Sequence, residues 1–338
     1  MIIDYRSDTV TKPGKEMLEA MLSAQVGDDV FGEDPSINQL ELMSAKLFGM
    51  ESALFCPSGT MTNQIAIKCH VQPGDEVICE ESSHVYQYEG GGIAFNSGAS
   101  VRLLQGDRGR ITSQQVLHAI NPDDVHKAKT SLVCLENTSN RGGGSCYDFN
   151  EIENIAKQCK ENNLAFHLDG ARLFNALVAK KEKPEQYGKA FDSISICLSK
   201  SLGCPVGSLL VGKKDFIRKA RRIRKVFGGG MRQAGFIAAA GIYALQNNIS
   251  RLEMDHLHAK EIASVIENCS FTKLLLPVET NIIIFELQEK NSAAAFVEKL
   301  KKHQILAYAI TPERVRLVIH LDINAVMVQK TIDILKQL

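Results

Sequence analysis

Between residues 52 and 211 short apolar runs and helical patterns take turns along the chain, and this alternation constrains the fold more than any other feature. The runs fall at 52–55, 76–79, 101–104, 131–135, 165–168, 193–198 and 208–211, and helical periodicity fills several of the gaps, at 60–70, 113–120 and 150–162. Strands that alternate with helices return in the same direction and are covered on both faces, so the expected class is α/β with a mostly parallel central sheet. Residues 1–14 read as an extended arm ending at Pro13-Gly14, followed by a helix over 15–24 and an acidic loop over 27–35. Ser36 is the expected cap of the next helix, with Leu40, Met43 and Leu47 on its inner face. After a helix at 238–245 the pattern changes to helices at 250–268, 292–303 and 324–337 with strands at 281–287 and 315–320. This is a small C-terminal α+β unit. The expected division is an arm (1–14), a large domain (15–245) and a small domain (246–338).

Formal net charge is zero, from 39 basic and 39 acidic residues, which leaves no electrostatic footprint for nucleic acid or a membrane surface. Nine cysteines, an odd number without a Cys-x-x-Cys pair, point to reduced buried thiols. No apolar stretch approaches a membrane span or a signal-peptide core, so the expected location is the cytoplasm. No chelating cluster is visible among the dispersed histidines and cysteines, and no metal is expected.

The chemistry gathers at strand ends. His167-Leu168-Asp169-Gly170-Ala171-Arg172 reads as a strand delivering a carboxylate, and Ser199-Lys200 as a second strand delivering a lysine. Pyridoxal phosphate needs this pair: a lysine for its aldehyde and an acid that keeps its pyridine nitrogen protonated, so that the ring is an electron sink. Pro57-Ser58-Gly59-Thr60 lies between a strand and a helix, where the amides of Gly59 and Thr60 and the Thr60 hydroxyl suit a phosphate. Ser199 is within reach of the same group. His84 follows the next strand in the order expected of an imidazole stacked on the cofactor ring, whereas His167 is expected to point away and be structural. Arg172 suits a cofactor phenolic oxygen or a substrate carboxylate. The basic run at 218–225 has the spacing of a solvated helix face.

Several segments together resemble the L-threonine aldolases of the aspartate-aminotransferase-like pyridoxal-phosphate enzymes. They are Asp4-Tyr5-Arg6-Ser7-Asp8-Thr9-Val10-Thr11, the loop 28–35, residues 57–63, Leu135-Glu136-Asn137-Thr138, 168–172, 198–207 and Phe227-Gly228-Gly229-Gly230-Met231-Arg232-Gln233, with a continuation at 314–320. The resemblance implies Lys200 as the Schiff-base lysine, Asp169 on the pyridine nitrogen, His84 over the ring, and Gly59, Thr60 and Ser199 on the phosphate. It implies Ser7, Arg172 and Arg316 on the substrate carboxylate. It further implies a dimer or tetramer with shared active sites, to which the loop around Phe31 and the segment from Arg224 to Arg232 are lent, Arg224 reaching the cofactor and Phe31 the substrate. Two departures stand out: Phe31 where the family often has Tyr, and Ser139 where it often has His.

The implied reaction is cleavage of L-threonine or L-allo-threonine to glycine and acetaldehyde, as an amino-acid-metabolic lyase. His84 is the first candidate for the base and His126 the second. The rivals are β-elimination or racemisation on the same scaffold and a non-catalytic cofactor-holding protein. A nicotinamide dehydrogenase is excluded by the missing Gly-x-Gly-x-x-Gly after the first strand.

Overall fold

The computed structural model describes residues 1–338. A two-residue strand, β1 (Ile3–Asp4), precedes seven strands of one sheet: β2 (Ser52–Cys56), β3 (Glu76–Glu80), β4 (Ser100–Leu104), β5 (Thr130–Glu136), β6 (Ala165–Gly170), β7 (Ser193–Cys197) and β8 (Ser208–Gly212). Their order across the sheet is β2-β8-β7-β6-β5-β3-β4, all parallel except β8, which runs antiparallel to both neighbours. β3, β5, β7 and β8 are buried at every residue, as strands covered on both faces must be. The α/β expectation is met, each strand lying within two residues of the range read from its apolar run.

The helix Phe149–Glu161 illustrates how the covering layer forms. Asp148 accepts the Asn150 amide at 3.0 Å and starts it, and Ile152, Ile155 and Cys159 line up on the buried face. One cap differs from expectation. Asp34, not Ser36, caps Pro35–Leu47, accepting from the Ile37 amide at 3.0 Å, while the Ser36 hydroxyl donates to the Gln25 carbonyl. Pro35 at the first helical position, with no amide of its own to satisfy, favours that start.

The C-terminal sheet is antiparallel, ordered β12 (Tyr308–Ala309), β13 (Arg314–Val318), β10 (Ile282–Leu287) and β9 (Thr272–Leu275), with a short β11 (Ile305–Leu306) outside it. The N-terminal arm joins this unit. β1 pairs in parallel with β11, Ile3 and Tyr5 are buried in the same apolar cluster as Phe285 and Leu317, and the Tyr5 hydroxyl meets Thr331 Oγ1 at 2.9 Å. The helix Leu252–Glu267 reaches both cores, Leu252 packing in the large one and Ile262 and Ile266 in the small one. No helix is long and apolar enough to cross a membrane.

Candidate active site

The parallel strands end along one edge of the sheet, and the site is assembled there, where open α/β sheets place their ligands. Asp169, at the end of β6, is buried; its Oδ1 accepts the Ala171 amide at 3.1 Å and its Oδ2 accepts Asn63 Nδ2 at 2.9 Å. Asn63 lies on the buried side of the helix Gly59–His70 that follows β2. Its amide is fully used: Nδ2 also donates to Glu89 Oε1 at 2.8 Å, and Oδ1 faces His167 Nε2 at 3.1 Å. His167 Nδ1 in turn meets the Ser193 hydroxyl at 2.8 Å, and burial pulls its pKa down to about 4, so the ring is neutral. This corrects the expectation that His167 points away. Residues i and i+2 of a strand share a face, and His167 and Asp169 share Asn63.

His84 opens the short helix after β3. Its backbone amide donates to Glu136 Oε2 at 2.7 Å, and its Nδ1 lies 2.9 Å from Glu89 Oε1. A carboxylate only accepts, so Nδ1 carries the proton and Nε2 is left as the second nitrogen. Burial opposes a charge on this ring, but the Glu89 hydrogen bond and the carboxylates of Asp169 and Glu89 outweigh it and raise the His84 pKa. Burial, then the charge of Asp169, raises that of Glu136.

Arg172 is buried and forms a two-pronged pair with Asp8, Nε to Oδ2 at 2.7 Å and Nη2 to Oδ1 at 2.6 Å. The Ser201 hydroxyl adds a third bond to Asp8 at 2.9 Å. Burial pushes the Asp8 carboxyl up, but the Arg172 charge and these bonds dominate and hold it well below the usual carboxylate range. Arg316 on β13 is placed differently. It is buried too, yet its partners are neutral, Asn140 Oδ1 at 2.7 Å and the Arg6 carbonyl at 3.0 Å. Burial, then the guanidiniums of Arg172 and Arg141, pull its pKa down to about 10. A desolvated cation without a carboxylate beside other cations is a site waiting for an anion. Ser7 caps the turn Asp8–Val10, accepting from the Thr9 amide at 3.2 Å, next to the Asp8 pair.

At the phosphate end Ser58 caps the helix by accepting the Met61 amide at 3.2 Å, and the Ser58 carbonyl takes that of Thr62. The first-turn amides of Gly59 and Thr60 then have no intrahelical acceptor. A Cβ on Gly59 would stand 2.5 Å from Cys197 Sγ, so only glycine lets the helix start this close to the end of β7. The Ser208 hydroxyl, buried nearby, has no partner. Ser199 and Lys200 are half-buried in the turn after β7, and the Lys200 ammonium acts electrostatically on both Asp8 and His84. These features fit pyridoxal phosphate: free amides and an orphan hydroxyl for the phosphate, a lysine for the aldehyde, an oriented carboxylate for the ring nitrogen.

Three expected residues are not brought to this cleft within the chain. His126 is 85% exposed and pairs with Asp124 at 2.9 Å, in the loop that enters β5 at the end opposite Glu136. Seven residues of strand, about 20 Å, separate the two ends. Phe31 is 73% exposed, its ring under the Arg232 guanidinium at 5.8 Å. Arg224 faces inward. It is buried against its own chain, with Nη2 at 2.7 Å from Asp29 Oδ2 and Nη1 donating to the Phe55 carbonyl at 2.6 Å, while its Nε has no partner. Ser139 is buried and accepts the Gly142 amide at 3.1 Å, which fixes a turn. The sequence reading had not singled out Asn63, Glu89, Glu136 or Asp8 as site residues. Asp8, Asn63 and Glu136 lay within the resembling segments, and Asn63 also falls on the helix face of Gly59, four residues before it; Glu89 carried no signal.

The beta-eliminating lyase family model matches residues 4–290. A low-specificity L-threonine aldolase of Escherichia coli K12 is 43% identical over 324 residues, spanning 96% of this chain and 95% of the relative. This chain belongs to the beta-eliminating lyase family, among the L-threonine aldolases. A probable low-specificity L-threonine aldolase of Arabidopsis thaliana is 40% identical over 334 residues, covering 97% and 94% of the two chains. A solved Leishmania major threonine aldolase has the same fold, with a TM-score of 0.87 over 99% of each chain at 22% identity. A structure described as SPT with PLP internal aldimine shares it at a TM-score of 0.78 and 15% identity, over 99% of this chain and 87% of that one.

Proposed function

We propose that this chain cleaves L-threonine, L-allo-threonine and related β-hydroxy-α-amino acids to glycine and an aldehyde, acetaldehyde in the case of threonine, with pyridoxal phosphate as cofactor. The observation that carries the reading is His84, whose Nδ1 is committed to Glu89 and whose Nε2 is left to serve as a base. Lys200 holds the cofactor covalently, Asp169 keeps its pyridine nitrogen protonated, and Gly59, Thr60, Ser199 and Ser208 receive the phosphate. Bound there, the cofactor supplies an electron sink for the pair released at Cα.

Arg316 takes the substrate carboxylate, assisted by Ser7 and by Arg172 Nη1, which lies outside the Asp8 pair. Gripping the carboxylate fixes the rotation about Cα and so which bond stands ready to break. His84 Nε2 accepts the β-hydroxyl proton, the Cα–Cβ bond breaks and the aldehyde leaves. Protonation at Cα completes glycine. The large unit carries the cofactor, and the small unit, from about residue 246, brings Arg316 against it.

The working form is a homo-oligomer, dimer or tetramer. The exposure of Phe31 supports a role for that loop in a neighbouring copy's site, and the 85% exposure of the His126 side chain supports the same for its ring. The enzyme acts in the cytoplasm in threonine breakdown and glycine supply. Given L-threonine and L-allo-threonine separately, the cofactor-loaded protein is expected to yield acetaldehyde and glycine in equal amounts. Formation of 2-oxobutanoate and ammonia, or only of the opposite enantiomer, would replace this reading with elimination or racemisation.

A further inference from the structure

We infer that Glu89 is a positioning residue for His84: its carboxylate holds the imidazole as the Nδ1–H tautomer with Nε2 free, and through the Asn63 amide it ties that orientation to the carboxylate of Asp169. The inference rests on the assignment of His84 as base, and its test separates the two.

The Glu89 side chain is fully buried, and every bond it makes is to a group of the cleft wall. Oε1 receives both His84 Nδ1 at 2.9 Å and Asn63 Nδ2 at 2.8 Å; Oε2 receives Gln64 Nε2 at 2.6 Å. Neither amide is free to turn over. Asn63 Oδ1 faces His167, and Gln64 Oε1 accepts Asn96 Nδ2 at 3.1 Å, so both NH2 groups must face the carboxylate. A Cβ on Gly92 would lie 2.5 Å from Gln64 Cδ, so glycine there makes room for the second amide. Two neutral donors and one imidazole N–H satisfy the buried carboxylate without any fixed cation. That makes the Glu89 bond to His84 strengthen whenever the ring takes a proton.

A buried carboxylate with this geometry does for an imidazole what an orienting acid does in any base–acid pair: it selects the tautomer and stabilises the charged ring. Asn63 extends the effect, because one NH2 group bonds Glu89 and Asp169 at once. The charged groups acting on His84 are Glu89 from its own loop, Asp169 from β6, Glu136 from β5 and Lys200 from the turn after β7. Three of these four are acids, so removing the nearest one moves the ring's titration downward.

The first readout is the tautomer of His84 in the cofactor-loaded wild type, from long-range proton–nitrogen correlation of 15N-labelled protein. It is expected to be Nδ1–H with Nε2 bare, and an Nε2–H ring would overturn the inference with no variant needed. In Glu89→Gln the His84 titration is expected about one pH unit lower, since one adjacent charge is lost, and the acid limb of kcat/KM moves down with it. Glu89→Asp keeps the charge and is expected to restore most of the shift, which a merely structural residue would not do. If the ring titration and tautomer stay as in the wild type in Glu89→Gln, Glu89 does not position His84. If they move while the acid limb stays, Glu89 holds its role and the base assignment of His84 fails instead.

Discussion

The pair between Asp8 and Arg172 links the N-terminal arm to the strand-end machinery, and its removal has a cost that can be worked from the structure. Replacing Asp8 by Asn keeps the shape but takes the counter-charge from a guanidinium that is 5% exposed in its side chain. Four bonds are affected, two from Arg172, one from Ser201 and a long one from Ser7 at 3.5 Å. Breaking a buried pair from one side costs about 3–5 kcal/mol, mostly the penalty of an uncompensated buried charge. Spread over the unfolding entropy of a chain of 338 residues, that corresponds to a midpoint lowered by about 4–7 °C. Because folding lowers the Asp8 pKa, its stabilising contribution is present above the unfolded carboxylate value and fades as pH falls toward the folded one. The gap between wild type and Asp8→Asn is therefore full at pH 7 and narrows only below about pH 4. Urea unfolding of both proteins at pH 7 and at about pH 3 measures it. Adding Arg172→Met to Asp8→Asn should recover part of the loss, since no buried charge is then left alone. A pH 7 difference under about 0.5 kcal/mol would refute the reasoning, because the pair would then be worth no more than an exposed one.

Two further substitutions separate binding from folding. Arg316→Met removes a buried guanidinium that has no carboxylate partner, so the folded protein without substrate should lose no more than about 1 kcal/mol of stability. The same change should lower kcat/KM for L-threonine by about 100-fold, from the loss of a charge-assisted grip on the carboxylate, as steady-state kinetics will read. Gly59→Ala drives a methyl against Cys197 Sγ, 2.5 Å away, at the helix start. It should cost about 1–3 kcal/mol in denaturant unfolding and weaken cofactor retention, measured by loss of bound pyridoxal phosphate on dialysis.

The sheet was legible because a strand buried on both faces is written in consecutive apolar residues, as Leu132–Leu135 in β5 and Leu209–Val211 in β8 are. Asp169 and Lys200 were legible for a related reason: Asp169 closes the apolar run of β6 and Lys200 lies three residues past β7, so the strand's end announces the residue. Glu89 had no such marker. It follows a short helix, precedes three glycines, and gains its meaning only when the helix carrying Asn63 and Gln64 packs beside it. Arg224 is the opposite case. Its place in a basic run suggested a surface charge or a ligand for another group, yet the helix Lys214–Val226 turns that one arginine inward, onto Asp29 of the acidic loop. The common cause is that a local pattern reports which residues are apolar and a charged residue's partner is set by tertiary approach. The position of a lone carboxylate or guanidinium is thus legible in a sequence only when the strand or helix that carries it also dictates where its tip will lie, as for Asp169 on β6 and unlike Glu89 and Arg224.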